Sequence, residues 1–417
     1  MSRPSDERHI VPPSGEPASG VAGDGPPAWW RRLLFSRPFL VLLGLGLGFV
    51  VFEVSFRVAR LNFNLSPFWK YHRVLGWTQV PDAVFDYPPE VVSGLPLPQT
   101  RVEFNALGFR DVDHATTKPP GTKRIVVLGD SFCEAVQVNL ETTFFRRLQH
   151  MLNGRSAQKW EVINLGVGDF GTAQELIALE NYGLAYSPDI VVVQIFPLND
   201  VGNNSLAMFR LCKSMNDPYR PYFVESDGSL IQTSAQPVRN ALRRHVVSYG
   251  VLERVYLERK LGKDPQEDEA ERERRLKALG YVQDPMLSGF AEDRDQPPAV
   301  AQGWRITELL IEKIHARCRA SNIGFMGIVV PFEPQVGSKW ENFMSSRPPP
   351  RTTADYPERR LGRLFARLGV PSVMLKEVFD RNVDLYFPSI AGHFNPESHR
   401  LTAEAVYQRL IESGLVQ

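Results

Sequence analysis

The stretch Arg124-Ile-Val-Val-Leu-Gly-Asp-Ser-Phe132 decides the fold prediction. Residues 125–128 form a β-branched apolar run that is too short for a helix, so they predict a buried strand. Gly129 lets the backbone turn sharply and present Ser131 at the carboxyl end of that strand, where open α/β sheets bind their ligands. Gly-Asp-Ser is also a common turn sequence, so this stretch alone leaves a turn and a nucleophile equally open.

Two further apolar strands end in polar loops. The first is followed by Gly168 and Asp169, and the second is followed by Asn199. Amphipathic helical patterns alternate with the strands, and this alternation predicts a parallel sheet flanked by helices. Thr172 and Glu175 have the spacing of a capping box that opens one of these helices. The predicted strands are residues 160–163, 190–196 and 325–330, and the predicted helices are residues 143–152, 172–182, 306–320 and 359–368.

A histidine stands near the C-terminus. His393 comes just before Asn395-Pro396, which predict the cap and the first position of a last helix. His393 is therefore expected in a loop at the end of the sheet. His399 falls in the first turn of that helix, where a packing or surface role is expected.

These four blocks, with serine, glycine, asparagine and histidine in that order, resemble the SGNH (GDSL-like) family of serine esterases and acyltransferases. The resemblance covers residues 105–181, 189–204 and 393–410. It implies a three-layer, flavodoxin-like parallel sheet, the SGNH-hydrolase fold. The G-x-S-x-G signature of the α/β-hydrolases is absent, because Cys133 occupies the place of its last glycine.

The resemblance also implies a set of site residues. Ser131 is the expected nucleophile and His393 the expected base. The expected oxyanion hole combines the N–H of Ser131, a loop N–H at Gly168 or Asp169, and the side-chain amide of Asn199.

Two positions depart from the family pattern. Where relatives have an aspartate shortly before the histidine, this chain has Ile390 and Ala391, and Asp384 is the nearest acid upstream. Either Asp384 orients His393, a backbone carbonyl does so, or the base is weakened. Asp169 stands where relatives often have the oxyanion glycine, and its carboxylate could repel an oxyanion.

The N-terminal part predicts a membrane anchor. Residues 1–28 are rich in Pro, Gly and Ser and predict a disordered tail. Residues 37–57 are apolar enough for a transmembrane helix if Glu53 is accepted near one interface. A signal peptide and a buried soluble helix are the alternatives. No small-residue cleavage site follows the apolar run, and the run begins late for a signal peptide. Resemblance to anchored SGNH proteins places the C-terminal part outside the cytoplasm.

The remaining chain is predicted in two parts. Residues 61–120 are aromatic and proline-rich and predict a small β-rich lead-in, whose Asn-x-x-Gly-Phe-Arg stretch ends at Arg110. Residues 121–417 form the SGNH-like α/β domain, with a long insertion at about residues 202–300. Within the insertion, residues 222–231 predict a hairpin about an Asp-Gly turn, and the mixed charges of residues 267–275 predict a solvated helix face.

Composition restricts the partners and cofactors. The net charge is +1 and charged residues make up 23% of the chain, which gives no reason to expect a nucleic-acid partner. Three scattered cysteines predict neither a disulfide framework nor a zinc site, and no metal or organic cofactor is expected.

The sequence therefore predicts a membrane-anchored serine ester hydrolase that acts on an acyl ester, such as an O-acylated glycan. Two alternatives stay open. One is an O-acyltransferase to an extracytoplasmic polysaccharide, and the other is a non-catalytic glycan-binding protein of the same fold. The oligomeric state is not predicted.

Overall fold

The computed structural model of the 417-residue chain describes most of the sequence. The described residues are 36–58, 69–87, 91–92, 95–96, 99–155, 157–212, 219–261, 274, 285–345, 352–386 and 392–417. The predicted tail, residues 1–28, lies outside them, as does nearly all of the mixed-charge segment 267–275. The chain divides into two compact units, Met1–Arg60 and Leu61–Gln417.

The first unit contains one long apolar helix, α1 (Arg37–Val58). An 18-residue window within it has a mean hydropathy of 2.3, so the helix is long and apolar enough to cross a membrane. Glu53 interrupts the apolar run, and its carboxylate pairs with Arg57 one turn later at 2.9 Å. The predicted span therefore forms a helix of suitable length and composition near the N-terminus.

The second unit is built on a five-stranded parallel sheet. From one edge to the other its strands are β8 (Lys159–Asn164), β7 (Thr122–Leu128), β9 (Ile190–Ile195), β12 (Gly324–Val329) and β13 (Ser372–Met374). Counted along the chain, this order is 2-1-3-4-5, which is the flavodoxin-like order. The predicted fold class is therefore confirmed.

Helices cover both faces of this sheet because the side chains of its strands alternate and are apolar on both sides. In β7, Val126 and Leu128 join one core cluster, and Ile125 and Val127 join the other. Three helices pack on the first face: α4 (Thr172–Asn181), α9 (Pro298–Ala320) and α11 (Tyr356–Leu368). Three pack on the second: α3 (Phe144–Arg155), α12 (Leu375–Asp380) and α14 (Pro396–Glu412).

The remaining helices lie in the connections between these elements. They are α2 (Ser131–Glu134), α5 (Pro197–Asn203), α6 (Leu206–Cys212), α7 (Pro237–His245), α8 (Val247–Leu261), α10 (Lys339–Ser345) and α13 (Val383–Tyr386). The first two of these helices follow β7 and β9, the neighbouring strands where the strand order reverses. A flavodoxin-like fold binds its ligand at that reversal point.

Four pairs of short antiparallel strands lie outside the main sheet among the described residues. In residues 69–103, β1 (Trp69–His72) pairs with β2 (Gly76–Gln79), and β3 (Val84–Tyr87) pairs with β6 (Thr100–Glu103). Two-residue strands β4 (Val91–Val92) and β5 (Leu95–Pro96) also pair. In the insertion, β10 (Pro221–Ser226) and β11 (Ser229–Ser234) form the predicted hairpin. Its turn has positive φ angles of 49° at Asp227 and 74° at Gly228, as a type I′ turn requires.

The predicted capping box at the start of α4 is wrong. Gly171 is the N-cap, and Thr172 is already inside the helix. Asp200, from α5, takes over the capping role, since its Oδ1 accepts hydrogen bonds from the Thr172 N–H at 2.7 Å and from the Thr172 hydroxyl at 2.6 Å. Glu175 is buried and does not reach back to the cap. A residue 28 positions away therefore replaces the local cap.

Candidate active site

The structure brings Ser131 and His393 into direct contact. His393 Nε2 lies 2.8 Å from Ser131 Oγ, although 262 positions separate the two residues in the chain. Ser131 begins α2 directly after β7, with Asp130 as its N-cap. His393 lies just before α14, whose predicted cap is confirmed because Asn395 accepts the Ser398 N–H at 2.7 Å. Both side chains stay partly accessible to solvent.

Aromatic side chains fix the position of the imidazole. The ring of His393 packs on Phe132 with 4.9 Å between centroids. Phe132 in turn contacts Phe196 and Phe394 at 4.9 and 4.7 Å. Since Phe132 follows Ser131 directly, one packed cluster positions both members of the pair.

The loop after β8 lies beside α2 and carries the two predicted oxyanion residues. The buried Glu134 carboxylate lies close to Gly168, since a Cβ added there would be 2.8 Å from Glu134 Oε2. The Gly168 carbonyl accepts from Trp77 Nε1 at 3.1 Å. Asp169 has a φ of 62°, in the left-handed region where glycine is favoured.

Arg220 binds Asp169, whose carboxylate was expected to repel an oxyanion. Its guanidinium donates to the Asp169 carbonyl at 2.8 Å and to Asp169 Oδ2 at 3.0 Å. It also donates to Gln174 Oε1 at 2.6 Å and lies 4.8 Å from the ring of Trp77. Asn203 donates to Asp169 Oδ1 at 3.2 Å. The carboxylate is thereby compensated by a buried cation, which no motif in the sequence indicates.

Asn199 lies on α5, next to the nucleophile loop. Its side-chain amide donates to Asp130 Oδ2 at 3.0 Å, and Asp130 Oδ1 accepts the Phe132 N–H at 3.0 Å. An amide nitrogen carries two hydrogens, so one remains for a further acceptor. Asp130 therefore links α5 to α2.

Three buried carboxyl groups, those of Asp130, Asp200 and Glu175, interact electrostatically beside the loop that carries Ser131. Burial, and then the charge of Asp200, raises the pKa of Asp130 to about 7. Burial raises the pKa of Asp200 to about 6. Burial, and then the charges of Asp200 and Asp130, raises the pKa of Glu175 well above its usual value. Because like charges in a dry interior disfavour ionisation, these three groups keep protons to a higher pH than the same groups in water do.

Arg110, at the end of the Asn-x-x-Gly-Phe-Arg stretch, binds residues 134–138, which follow Ser131 in the chain. The buried Arg110 guanidinium donates to the carbonyls of Glu134, Ala135 and Val138, the first at 3.0 Å. Ala135 ends α2 in a left-handed conformation with a φ of 52°. These contacts give the stretch a structural role beside Ser131.

The remaining candidates take the following positions. Asp384 is exposed on α13 and makes no hydrogen bond to His393 among the described residues, so its orienting role stays a prediction. Ile390 and Ala391 lie outside the described residues. His399 is buried, and its Nδ1 accepts the Phe144 N–H at 3.2 Å, which gives it the expected packing role. Cys133 is fully buried.

No family model and no curated protein matches this sequence. Comparison with solved structures finds similar chains. The structure of TesA has 13% identity and a TM-score of 0.35, and covers 70% of this chain and 99% of its own. A catalytic mutant of Axe2, an acetylxylan esterase from Geobacillus stearothermophilus, has 9% identity and a TM-score of 0.38, with coverage of 71% and 96%. LAE5, an alpha/beta hydrolase enzyme from the metagenome of Lake Arreo, has 13% identity and a TM-score of 0.36, with coverage of 71% and 96%.

Proposed function

We propose that this chain is a membrane-anchored serine esterase that cleaves an acyl ester through Ser131 and His393. The observation that carries the proposal is the 2.8 Å contact between His393 Nε2 and Ser131 Oγ. A serine hydroxyl is a weak nucleophile near neutral pH and needs a base within hydrogen-bond reach. The imidazole supplies that base.

The reaction proceeds in two halves. Ser131 Oγ attacks the ester carbonyl while His393 takes the hydroxyl proton. His393 then returns the proton to the leaving alcohol, and an acyl-serine remains. Water next attacks the acyl group while His393 takes its proton. His393 then returns that proton to Ser131 Oγ as the acid leaves, which restores both the serine hydroxyl and the neutral imidazole.

The oxyanion of each half-reaction needs donors aimed at it. The proposed donors are the N–H of Ser131, the N–H of Asp169 and the second amide hydrogen of Asn199. Arg220 supports this assignment, because it binds the Asp169 carboxylate that would otherwise repel the oxyanion. Asp130 supports it as well, since its bond to Asn199 fixes the amide beside the nucleophile.

The helix α1 anchors the esterase in this proposal, with the α/β unit outside the cytoplasm. An O-acylated glycan is then an accessible substrate. The acyl-serine can also be taken up by a sugar hydroxyl in place of water, which would make the same site an acyltransferase.

Release of 4-nitrophenol from 4-nitrophenyl acetate by the full chain in detergent micelles tests the proposal. Ser131→Ala is expected to abolish turnover, and His393→Ala is expected to lower kcat by at least 1,000-fold, on the order of the loss of a triad member. His150→Ala is the matched control, because His150 is 67% exposed and pairs only with Glu141 among the described residues. Turnover that persists in Ser131→Ala would contradict the proposal.

Adding a neutral oligosaccharide to the same assay separates the two acceptors. An esterase releases free acetate in proportion to nitrophenol, whereas a transferase yields acetylated oligosaccharide. Mass spectrometry of the products measures the ratio.

A further inference from the structure

A cavity of about 490 Å³ lies between the turn that joins β1 to β2 and the helix α7 of the insertion. Its volume falls within the range of small-molecule sites. Arg73 lines it from the turn and Arg244 lines it from the end of α7, and none of the described residues that line it is acidic. We propose that this cavity binds the phosphate of an anionic phospholipid, and that the exposed apolar side chains of α7 and α8 enter the surface of the same bilayer.

The two arginines of the cavity are not neutralised by acidic neighbours. Arg244 Nη2 donates to the Arg73 carbonyl at 3.4 Å, and neither guanidinium forms an ion pair among the described residues. Glu253 of α8 pairs instead with the buried Arg243, whose Nη2 donates to its Oε1 at 2.9 Å. A guanidinium binds a phosphate through two parallel hydrogen bonds, so two arginines at one cavity suit a phosphate group.

The charge of the insertion also favours an anionic partner. Residues 229–252 contain three arginines and one histidine but no aspartate or glutamate. The end of a helix favours basic side chains, which by itself accounts for Arg244. It does not account for Arg73, which lies in a turn between two strands. The two arginines therefore come from separate elements, and only the folded chain brings them to one cavity.

Exposed apolar side chains lie on the helix that lines the cavity and on the helix that follows it. Outside α1, eleven large apolar side chains of the described residues are exposed, and six of these belong to residues 231–256. On α7 they include Val238 and Leu242, which are four positions apart and share one face of the helix. On α8, Leu252 and Tyr256 have the same spacing. Single apolar side chains are normal on a protein surface, but such a concentration marks a surface that binds a protein or a membrane.

The combination of apolar and basic side chains favours a bilayer over a soluble ligand. A free phosphate would pair with the arginines but would leave the apolar side chains in water. Helices with apolar side chains beside arginines are typical of proteins that lie on an anionic lipid surface. Ten residues separate the end of α1 at Val58 from the start of β1 at Trp69, and they span at most about 36 Å. The proposed anchor would therefore keep β1 within reach of the bilayer, and this step rests on the proposed function.

The test uses the full chain in lipid nanodiscs. Cys212→Ser and Leu252→Cys leave a single accessible cysteine on α8, because Cys133 and Cys318 are buried, and this cysteine carries an NBD fluorophore. Discs of phosphatidylcholine are compared with discs that also contain phosphatidylglycerol. We expect the NBD emission to shift to shorter wavelength, and spin-labelled lipid to quench it, when phosphatidylglycerol is present. Ile411→Cys in place of Leu252→Cys is the matched control, since Ile411 is exposed on α14 and its label is expected to stay in water in both kinds of disc.

The cavity is tested by two variants made in the labelled chain. Arg73→Gln and Arg244→Gln are each expected to lower the ratio of docked to undocked chains about fivefold, the contribution of one basic side chain near an anionic lipid surface. Arg381→Gln is the control, because the Arg381 side chain is 74% exposed and does not line the cavity. Titration calorimetry with glycerol 3-phosphate, on the chain in phosphatidylcholine discs, distinguishes a lipid phosphate from a free one.

Three results would overturn the assignment. They are an NBD emission that is the same in both kinds of disc, docking that survives the loss of both arginines, and binding of glycerol 3-phosphate without docking. A chain recovered outside the discs would contradict the proposed anchor and this surface with it. None of these results affects the nitrophenyl acetate assay, so failure of the docking surface is distinguishable from failure of the proposed esterase.

Discussion

At the scale of single residues, the proposed reaction depends on how the charge of the Asp169 carboxylate is compensated where an oxyanion would form. Asp169 occupies a left-handed position in the loop after β8, and in the proposed esterase a carboxylate there would oppose an oxyanion. Arg220 donates one hydrogen bond to this carboxylate and a second to the Asp169 carbonyl, and its guanidinium is buried against Trp77. A buried arginine held this rigidly interacts with its partner more strongly than a surface ion pair does.

We therefore expect Arg220→Met to lower kcat for 4-nitrophenyl acetate by roughly tenfold, which corresponds to about 1.4 kcal/mol of barrier. The reason is the uncompensated Asp169 carboxylate. Asp169→Gly in the Arg220→Met background should restore most of the rate, because glycine tolerates the positive φ and carries no charge. Equal rates in the single and double variants would mean that Arg220 acts through the fold and not through Asp169.

Neither Arg220 nor Gln79 could be predicted from the sequence. Arg220 lies 51 positions from Asp169, in a part of the insertion without a motif. Gln79, whose Nε2 donates to the Glu134 carboxylate, lies 55 positions from Glu134. Ser131, Asn199 and His393 were predictable because each follows a strand or precedes a helix with a clear local pattern. The contacts that Arg220 and Gln79 make near these residues form only when segments that are distant in the sequence pack together.

At the scale of elements, the sheet and its long helices follow from local periodicity, and the errors come from tertiary contacts. The helix predicted over residues 306–320 begins earlier, at Pro298, because the first turns of α9 pack on α5. Gly303 makes this packing close, since a Cβ there would overlap the carbonyl oxygen of Val201. The same helix α5 carries Asn199, so the packing of two helices sets the position of a site residue.

Gly303→Ala is expected to lower the free energy of unfolding by about 1–3 kcal/mol, as overpacking does, and to reduce esterase activity by displacing α5. Gly362→Ala is the matched control. Gly362 also lies inside a helix, but its nearest neighbour to an added Cβ is Met374 Cε at 3.6 Å, so alanine should stabilise by about 0.5–1 kcal/mol. Chemical denaturation and the nitrophenyl assay measure both variants. A Gly303→Ala chain as stable as the unmodified chain would contradict the packing argument.

At the scale of the whole molecule, buried acids make stability depend on pH. Burial raises the pKa of Asp130 to about 7, of Asp200 to about 6 and of Glu358 to about 7. The unfolded chain loses these protons near pH 4, whereas the folded chain keeps them until pH 6 to 7. The folded state therefore binds more protons in this window, and these groups lower stability as the pH rises from about 4 to 7.

Glu358→Gln isolates one such group away from the site. Glu358 lies on α11, and Gln335 Nε2 donates to its carboxyl group at 3.0 Å, a bond that a glutamine oxygen can still accept. The variant should lose less stability than the unmodified chain between pH 4.5 and pH 7.5, with a difference on the order of 3 kcal/mol. Urea denaturation at the two pH values measures it. An identical pH dependence in both chains would show that Glu358 does not keep its proton on folding.

The central claim is that His393 activates Ser131, and reaction with a fluorophosphonate probe tests it most directly. The full chain in detergent micelles would be labelled at neutral pH, and mass spectrometry would locate the adduct. We predict an adduct on Ser131 that is absent in Ser131→Ala, strongly reduced in His393→Ala and unchanged in His150→Ala. A folded chain that takes up no probe, or that labels Ser131 equally well without His393, would contradict the account.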